Sequence, residues 1–272
     1  MVKTKNNILI TGASGGIGIE TCKLLDKEEN QLLLIDINQE HLEKLANELK
    51  FKPKTFVCDV SNYNKIKELI LSLLNEYKSI DTIICLAGII RPGLFDHLSI
   101  ENLRIQMEVN FFGVINTIYP ILPNLKEKKQ GKIIIVSSLA GIVPAPKHNM
   151  YVASKFALRG LIQTLYLELK PFNIQITNVM PDAILTPMLK YTATQDASPL
   201  AFANYPLPAS DVAEAIQLAM KKDKMEIYVP YFQGLLARIA QFFVGFIPFL
   251  WPKFEEKGLK NKKLFDKKGL LK

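Results

Sequence analysis

The stretch Asn6-Asn7-Ile8-Leu9-Ile10-Thr11-Gly12-Ala13-Ser14-Gly15-Gly16-Ile17-Gly18 decides how the rest of the chain is read. It opens as a short apolar run, breaks at a cluster of glycines, and passes into a segment of helical period over 16–28. A strand that turns through glycines into a helix presents free backbone N–H groups and the positive end of a helix dipole, and both suit a pyrophosphate. The G-x-G-x-x-G fingerprint is not met, because Ser stands at 14 and Thr at 21. A tight turn with no ligand is the competing reading of the glycines taken alone. Asp36 closes the next apolar run, 18 residues after Gly18, near the offset of an acid that binds adenosine ribose hydroxyls. A carboxylate there repels a 2′-phosphate, and positions 15 and 37 hold no Arg or Lys to attract one. NAD is therefore expected over NADP. Capping of the following helix is the alternative role for Asp36.

Working outward, short apolar runs at 6–11, 31–36, 54–59, 81–88, 132–138, 174–180 and 225–230 alternate with helical patterns at 16–28, 39–50, 62–77, 101–129, 150–170 and 211–222. The 101–129 pattern reads as two helices or as one kinked near Pro120. Unbroken Ile/Leu/Val runs suit strands covered on both faces, as in a parallel sheet. The β-α order predicts an α/β fold, a Rossmann-like doubly wound parallel sheet in three α/β/α layers. Residues 1–230 are expected to form one domain, and 231–272 an apolar helical extension with a lysine-rich tail. Residues 187–210 carry four prolines and are expected as a long loop serving as a substrate lid.

The composition is that of an ordinary globular protein, 49% hydrophobic and 22% charged over 272 residues. Cys22, Cys58 and Cys85 lack zinc or disulfide spacing and are expected as buried apolar residues. His41, His97 and His148 stand alone, so no metal site is expected. The net charge is +8, but residues 253–272 hold eight lysines against three acids. The rest is close to balanced, which argues against a nucleic-acid partner. The opening residues leave no room for a signal peptide, so a cytoplasmic location is expected.

Tyr151-Val152-Ala153-Ser154-Lys155 places a phenol and an ammonium at i and i+4, on one face of a helix. A nearby ammonium, together with an oxidised nicotinamide, favours phenolate and lowers a pKa that is ordinarily about 10. Tyr151 would then exchange a proton with an alcohol or alkoxide near neutral pH. A surface Tyr–Lys pair is the alternative.

These residues lie in an ordered series of motifs. Thr11-Gly12…Gly16-Ile17-Gly18 is followed by Asp59-Val60 and Ala87-Gly88, then by Asn110-Phe111-Phe112-Gly113, Ser137-Ser138-Leu139-Ala140-Gly141 and Tyr151-x-x-x-Lys155. Over roughly residues 5–230 the sequence resembles the short-chain dehydrogenase/reductase family. The resemblance implies a catalytic tetrad of Asn110, Ser138, Tyr151 and Lys155. Ser138 would hold the substrate oxygen toward Tyr151, and Lys155 would bind the nicotinamide ribose. Asn110 would bend a helix and hold a water for proton relay. The cofactor would be bound by Gly12, Ser14, Gly16, Ile17 and Gly18, with Asp36 at the ribose, Asp59 and Val60 at the adenine, and Ala87 and Gly88 along the nucleotide. Ile184 and Thr186 would hold the carboxamide. The resemblance also implies a homodimer or homotetramer. Two positions depart from the family pattern: Leu86 stands where Asn is usual, and Asp182 follows Pro181 where Gly is usual.

The expected activity is interconversion of a secondary alcohol and a ketone. The lid contributes Met188, Leu189, Tyr191 and Phe202 among others, which suits an apolar substrate or simply packs the loop; His148 edges the pocket or stands in solvent. Residues 232–251 carry a single charge, Arg238. Three readings stay open for them. The segment lies peripherally on a membrane with its lysines on anionic headgroups, packs on a second subunit or over the active site, or spans a bilayer. Arg238, Gln233, Gln241 and Pro248 oppose the span, as do basic flanks that prefer one face. The membrane reading implies a steroid-, retinoid- or lipid-like substrate. The rival activities are an NADPH-dependent 3-oxoacyl reductase and, from another class, a non-catalytic nucleotide-binding scaffold or sensor.

Overall fold

The computed structural model describes residues 5–271; residues 1–4 and Lys272, the outer ends of the two expected regions, lie outside it. The chain runs β1 (Asn6–Thr11), α1 (Gly16–Leu25), β2 (Asn30–Asp36), α2 (Gln39–Glu48), β3 (Lys54–Val57), α3 (Tyr63–Tyr77) and β4 (Thr82–Cys85). There follow α4 (Ile100–Met107), α5 (Gly113–Ile118), α6 (Leu122–Lys128), β5 (Gly131–Val136), α7 (Asn149–Leu169) and β6 (Ile174–Pro181). The last elements are α8 (Pro187–Thr194), α9 (Ala209–Lys221), β7 (Glu226–Val229), α10 (Tyr231–Phe242) and α11 (Ile247–Lys267).

The strands form one parallel sheet in the order β3-β2-β1-β4-β5-β6-β7. Alternation along each strand explains why both faces are apolar. Ile8, Ile10, Leu32 and Leu34 pack against α1, α2 and α9. Leu9, Leu33, Ile35 and Ile133 point the other way, onto α3, α5, α6 and α7. The three-layer Rossmann-like architecture is thus the one the sequence predicts. The strand order reverses between β1 and β4, and in such sheets ligands bind beyond the carboxyl ends of the strands at that reversal. The three cysteines are buried thiols.

Two regions differ from the sequence reading. The 101–129 pattern is broken twice, by a π-helical turn at Glu108–Phe112 and again at Tyr119–Ile121, so it yields three helices. Residues 187–210 are not a plain loop: Pro187 starts α8, with Thr186 as its N-cap, and Pro199–Phe202 forms a further short turn. Proline in the first helical turn costs no hydrogen bond, so these prolines start helices instead of preventing them. Pro248 does the same at the start of α11, and the lysine-rich tail continues as that helix. Gly258 faces the backbone of Pro199, where a Cβ would stand 2.0 Å from the carbonyl oxygen. Phe265 packs with Phe202 and Leu189, and Asn261 Nδ2 donates to the Ala203 carbonyl at 3.0 Å. The tail is a clamp on the lid.

Candidate active site

The glycine turn is shaped by close backbone approach. Gly12 has φ +68°, and a Cβ there would stand 2.6 Å from the Ala87 nitrogen. A Cβ on Gly18 would stand 2.3 Å from the Gly12 carbonyl oxygen. The N-cap of α1, Gly15, offers no side chain to cap it, which leaves its first N–H groups free for an anion. Thr186 lies against this turn, because a Cβ on Gly16 would meet its methyl at 2.8 Å. Asp36 Oδ2 accepts from the Ser14 N–H at 3.0 Å. The cap of α2 is Asn38, whose side chain accepts from the His41 N–H at 2.9 Å. Asp36 is therefore held at the glycine turn and does not cap the helix. Free donors, a cleared backbone and a neighbouring carboxylate fit a dinucleotide.

The catalytic candidates meet at the β4–β5–β6 ends. Tyr151 and Lys155 lie one turn apart on α7, with the Lys155 ammonium 5.4 Å from the centre of the Tyr151 ring. Lys155 is buried and reaches the Val136 carbonyl at 3.5 Å; among the described residues no carboxylate pairs with it. Burial pushes its pKa down to about 8. Burial also raises the Tyr151 phenol above its ordinary value, with the neighbouring Ser138 hydroxyl acting in the opposite direction. The acidic phenol expected from the sequence belongs to the complex with an oxidised nicotinamide, whose positive charge adds to that of Lys155. Ser138 is fixed in turn: its Oγ accepts from the Ala140 N–H at 3.0 Å and donates to the Pro181 carbonyl at 3.4 Å.

Asn110 occupies the π-helical turn and is fully buried. Its Oδ1 accepts from the Ile89 N–H at 2.8 Å, and its Nδ2 donates to the Ile89 carbonyl at 2.9 Å and to Ser154 Oγ at 3.2 Å. A Cβ on Gly88 would stand 3.3 Å from Asn110 Oδ1 and 3.8 Å from Lys155 Nζ, so the missing side chain leaves room for both groups beside the cleft. A π-helical turn interrupts the helix at Asn110, and Asn110 anchors the segment after β4.

A cavity of about 640 Å³ joins these groups; Ile17, Gly88, Ser138, Tyr151, Lys155, Ile184 and Thr186 all line it. Gly12, Ser14, Gly16, Gly18, Asp36 and Ala87 form the neighbouring nucleotide side and do not line the cavity. Asp59 and Val60 follow Cys58, whose N–H donates to the Asp36 carbonyl at 3.0 Å, and they do not line the cavity. Asp59 accepts from the Ser61 N–H at 2.9 Å and from its hydroxyl at 2.7 Å, and Val60 packs on Gly113. At the mouth, Asp182 accepts from Asn204 Nδ2 at 2.8 Å, which ties the lid to β6. Asp182 needs no left-handed backbone to stand in for glycine.

Of the two readings of His148 the structure takes the pocket edge: His148 lines the cavity and is buried, its Nε2 has no partner among the described residues, and burial pushes its pKa down to about 4. Other residues of the site had no role assigned from sequence. Ser137 Oγ donates to Asn178 Oδ1 at 2.5 Å beneath the site. Phe232, Leu236, Trp251, Phe254 and Lys257 bring α10 and α11 to the cavity wall. Packing over the active site was one of the three readings of that segment, but no local motif marked which side chains turn inward.

An open nucleotide-type turn beside a Ser–Tyr–Lys group, with Lys155 buried and Ser138 and Tyr151 half-buried, defines the class, a dinucleotide-dependent α/β oxidoreductase. The family model for short chain dehydrogenase matches residues 6–197, and the chain belongs to that family. A 3-ketodihydrosphingosine reductase of Bacteroides thetaiotaomicron is 33% identical over 174 residues, covering 64% of this chain and 62% of that protein. A 3-oxoacyl-(acyl-carrier-protein) reductase, FabG, of Thermotoga maritima is 34% identical over 183 residues, covering 66% of this chain and 74% of its own. Among solved structures, an alcohol dehydrogenase from the archaeon Thermococcus sibiricus, complexed with 5-hydroxy-NADP, superposes with a TM-score of 0.71 at 25% identity, covering 82% of this chain and 95% of that one.

Proposed function

We propose that the chain reduces a ketone on an apolar, lipid-like substrate to a secondary alcohol, with NADH preferred. The carrying observation is the Ser138–Tyr151–Lys155 group on the wall of the 640 Å³ cavity, beside the open N-terminus of α1. Reduced nicotinamide, when bound, supplies the hydride that a carbonyl carbon accepts. Ser138 donates a hydrogen bond to the carbonyl oxygen and holds it against the phenol. Tyr151 Oη gives its proton to the oxygen as negative charge develops there. Lys155 stabilises the phenolate left behind and meets the nicotinamide ribose, whose hydroxyls add to the Val136 carbonyl as polar partners of its ammonium. Thr186 and Ile184 orient the carboxamide from the other side.

Leu86, Ile90, Val143, Leu189 and Trp251 line the cavity and support an apolar substrate. Asp36 at the glycine turn supports NADH. Both curated relatives carry names of reductases acting on a 3-keto or 3-oxo group, which favours a long-chain 3-oxo compound as a second reading of the substrate. A panel of long-chain 3-oxo esters, ketosteroids, retinal and small ketones, followed by loss of reduced-cofactor absorbance, tests the proposal. Turnover of at least one apolar ketone with NADH is expected; binding of nucleotide with no turnover of any would favour a scaffold or sensor.

A further inference from the structure

The cavity wall and the protein surface share the same two helices. α10 and α11 turn Phe232, Leu236, Ile247, Trp251, Phe254 and Lys257 to the cavity, while among the described residues nothing packs on their outward faces. On α10, Gly234 and Ala237 are buried against the domain. Leu235, Ile239 and Phe242, at helical spacing on the opposite side, are exposed, Phe242 at 83%. At the elbow between the helices, Phe243, Phe246 and Phe249 are also exposed, the last at 79%. Monomeric proteins seldom expose so continuous an apolar surface without a use for it.

The charge beyond the elbow is placed as well as abundant. α11 buries Gly258 and Phe265 on the lid. At 100° per residue, Phe249, Lys253, Lys260, Lys263 and Lys267 fall on the opposite face, interrupted by Glu256. An apolar elbow followed by a basic outward face has the layout of a helix lying in an anionic lipid interface. The two helices meet at 92°, and no single helix among the described residues is long and apolar enough to cross a membrane. A second copy of the chain fits less well, because a two-fold contact through this face would set lysine against lysine.

We propose that the α10–α11 elbow docks the protein on an anionic lipid surface and thereby opens the cavity mouth to the lipid phase, from which the ketone is drawn. The source of the substrate rests on the proposed ketone reduction; the docking does not. Inserted phenyl rings would hold the elbow at the headgroup boundary, and the lysine face would meet the headgroup phosphates. Because α11 also clamps the lid through Gly258, docking and access to the cavity act on the same element.

The test is flotation of the full chain with phosphatidylcholine vesicles and with vesicles of equal parts phosphatidylcholine and phosphatidylglycerol. Association with the anionic vesicles alone is expected, weakening as salt is raised. The variant Lys260→Glu/Lys263→Glu/Lys267→Glu should lose roughly 100-fold in affinity. Phe242→Asp/Phe246→Asp/Phe249→Asp should lose at least about as much, with melting temperature and turnover of a short water-soluble ketone unchanged, since none of these six residues lines the cavity. Absence of the wild type from floated anionic vesicles, or equal flotation of the Phe variant, would overturn the docking. So would a wild-type dimer in sedimentation that the Phe variant dissociates, which would assign the face to a second copy. Flotation is read without substrate, so failure to reduce any ketone would bear on the proposed function alone. If the protein floats yet reduces a vesicle-embedded long-chain ketone no faster than the Phe variant does, the lipid-phase entry falls.

Discussion

At the scale of single residues, the site is a set of buried polar groups whose compensation is incomplete within the chain. Lys155 carries a buried ammonium without a carboxylate, a state that costs stability. Its folded pKa of about 8 lies below the unfolded lysine value. Between these values the unfolded chain binds more protons, so stability rises with pH across that window. Lys155→Met is therefore expected to raise the melting temperature at pH 7, at about 2–4 °C per kcal/mol recovered, and to abolish turnover. The gain should shrink as pH approaches the unfolded lysine value; calorimetry at several pH values checks it. Asp36→Asn keeps an acceptor for the Ser14 N–H and removes the charge. It should shift the NADPH/NADH ratio of kcat/KM upward by roughly tenfold to a hundredfold, measured with one ketone and both cofactors. Tyr151, Lys155 and Ser138 were legible because their spacing survives any tertiary detail. The protonation preference of Tyr151 was not, because it depends on how deeply the fold buries the phenol. His148 was left between pocket and solvent for the same reason: a lone histidine reads alike whether buried or solvated.

At the scale of elements, hydrophobic period identified all seven strands of the sheet, because each is apolar on both faces and flanked by polar turns. The helices of residues 101–129 were harder to divide, since a π-helical turn disturbs the period without proline or glycine at its start. Prolines misled the reading of 187–210, where they open helical turns. The clamp of α11 on the lid depends on Gly258, whose missing side chain is visible as a requirement only once Pro199 lies against it. Gly258→Leu is expected to lift α11 from the lid, raising KM for an apolar ketone by roughly tenfold while kcat changes less. Steady-state kinetics check this; unchanged KM would show that the clamp does not shape the cavity.

At the scale of the whole molecule, the sheet reversal between β1 and β4 sets the nucleotide side, and the lid with α10 and α11 closes the other. The first half was written in the sequence as ordered motifs. The second was legible only as composition, because helix–lid packing joins residues more than fifty positions apart, such as Asn261 and Ala203. With Tyr151 held protonated by burial, ketone reduction should be flat across neutral pH and fall only at alkaline pH, while alcohol oxidation should rise with pH as phenolate becomes available. Opposite limbs in the two directions would identify one group titrating in both.

The central claim is that the Tyr151 hydroxyl moves the proton. The most direct measurement pairs ketone turnover with NADH binding, followed by cofactor fluorescence, in Tyr151→Phe. The account predicts a loss in kcat of at least about 10²–10⁴-fold with NADH affinity unchanged within a few-fold; turnover close to that of the wild type would contradict it.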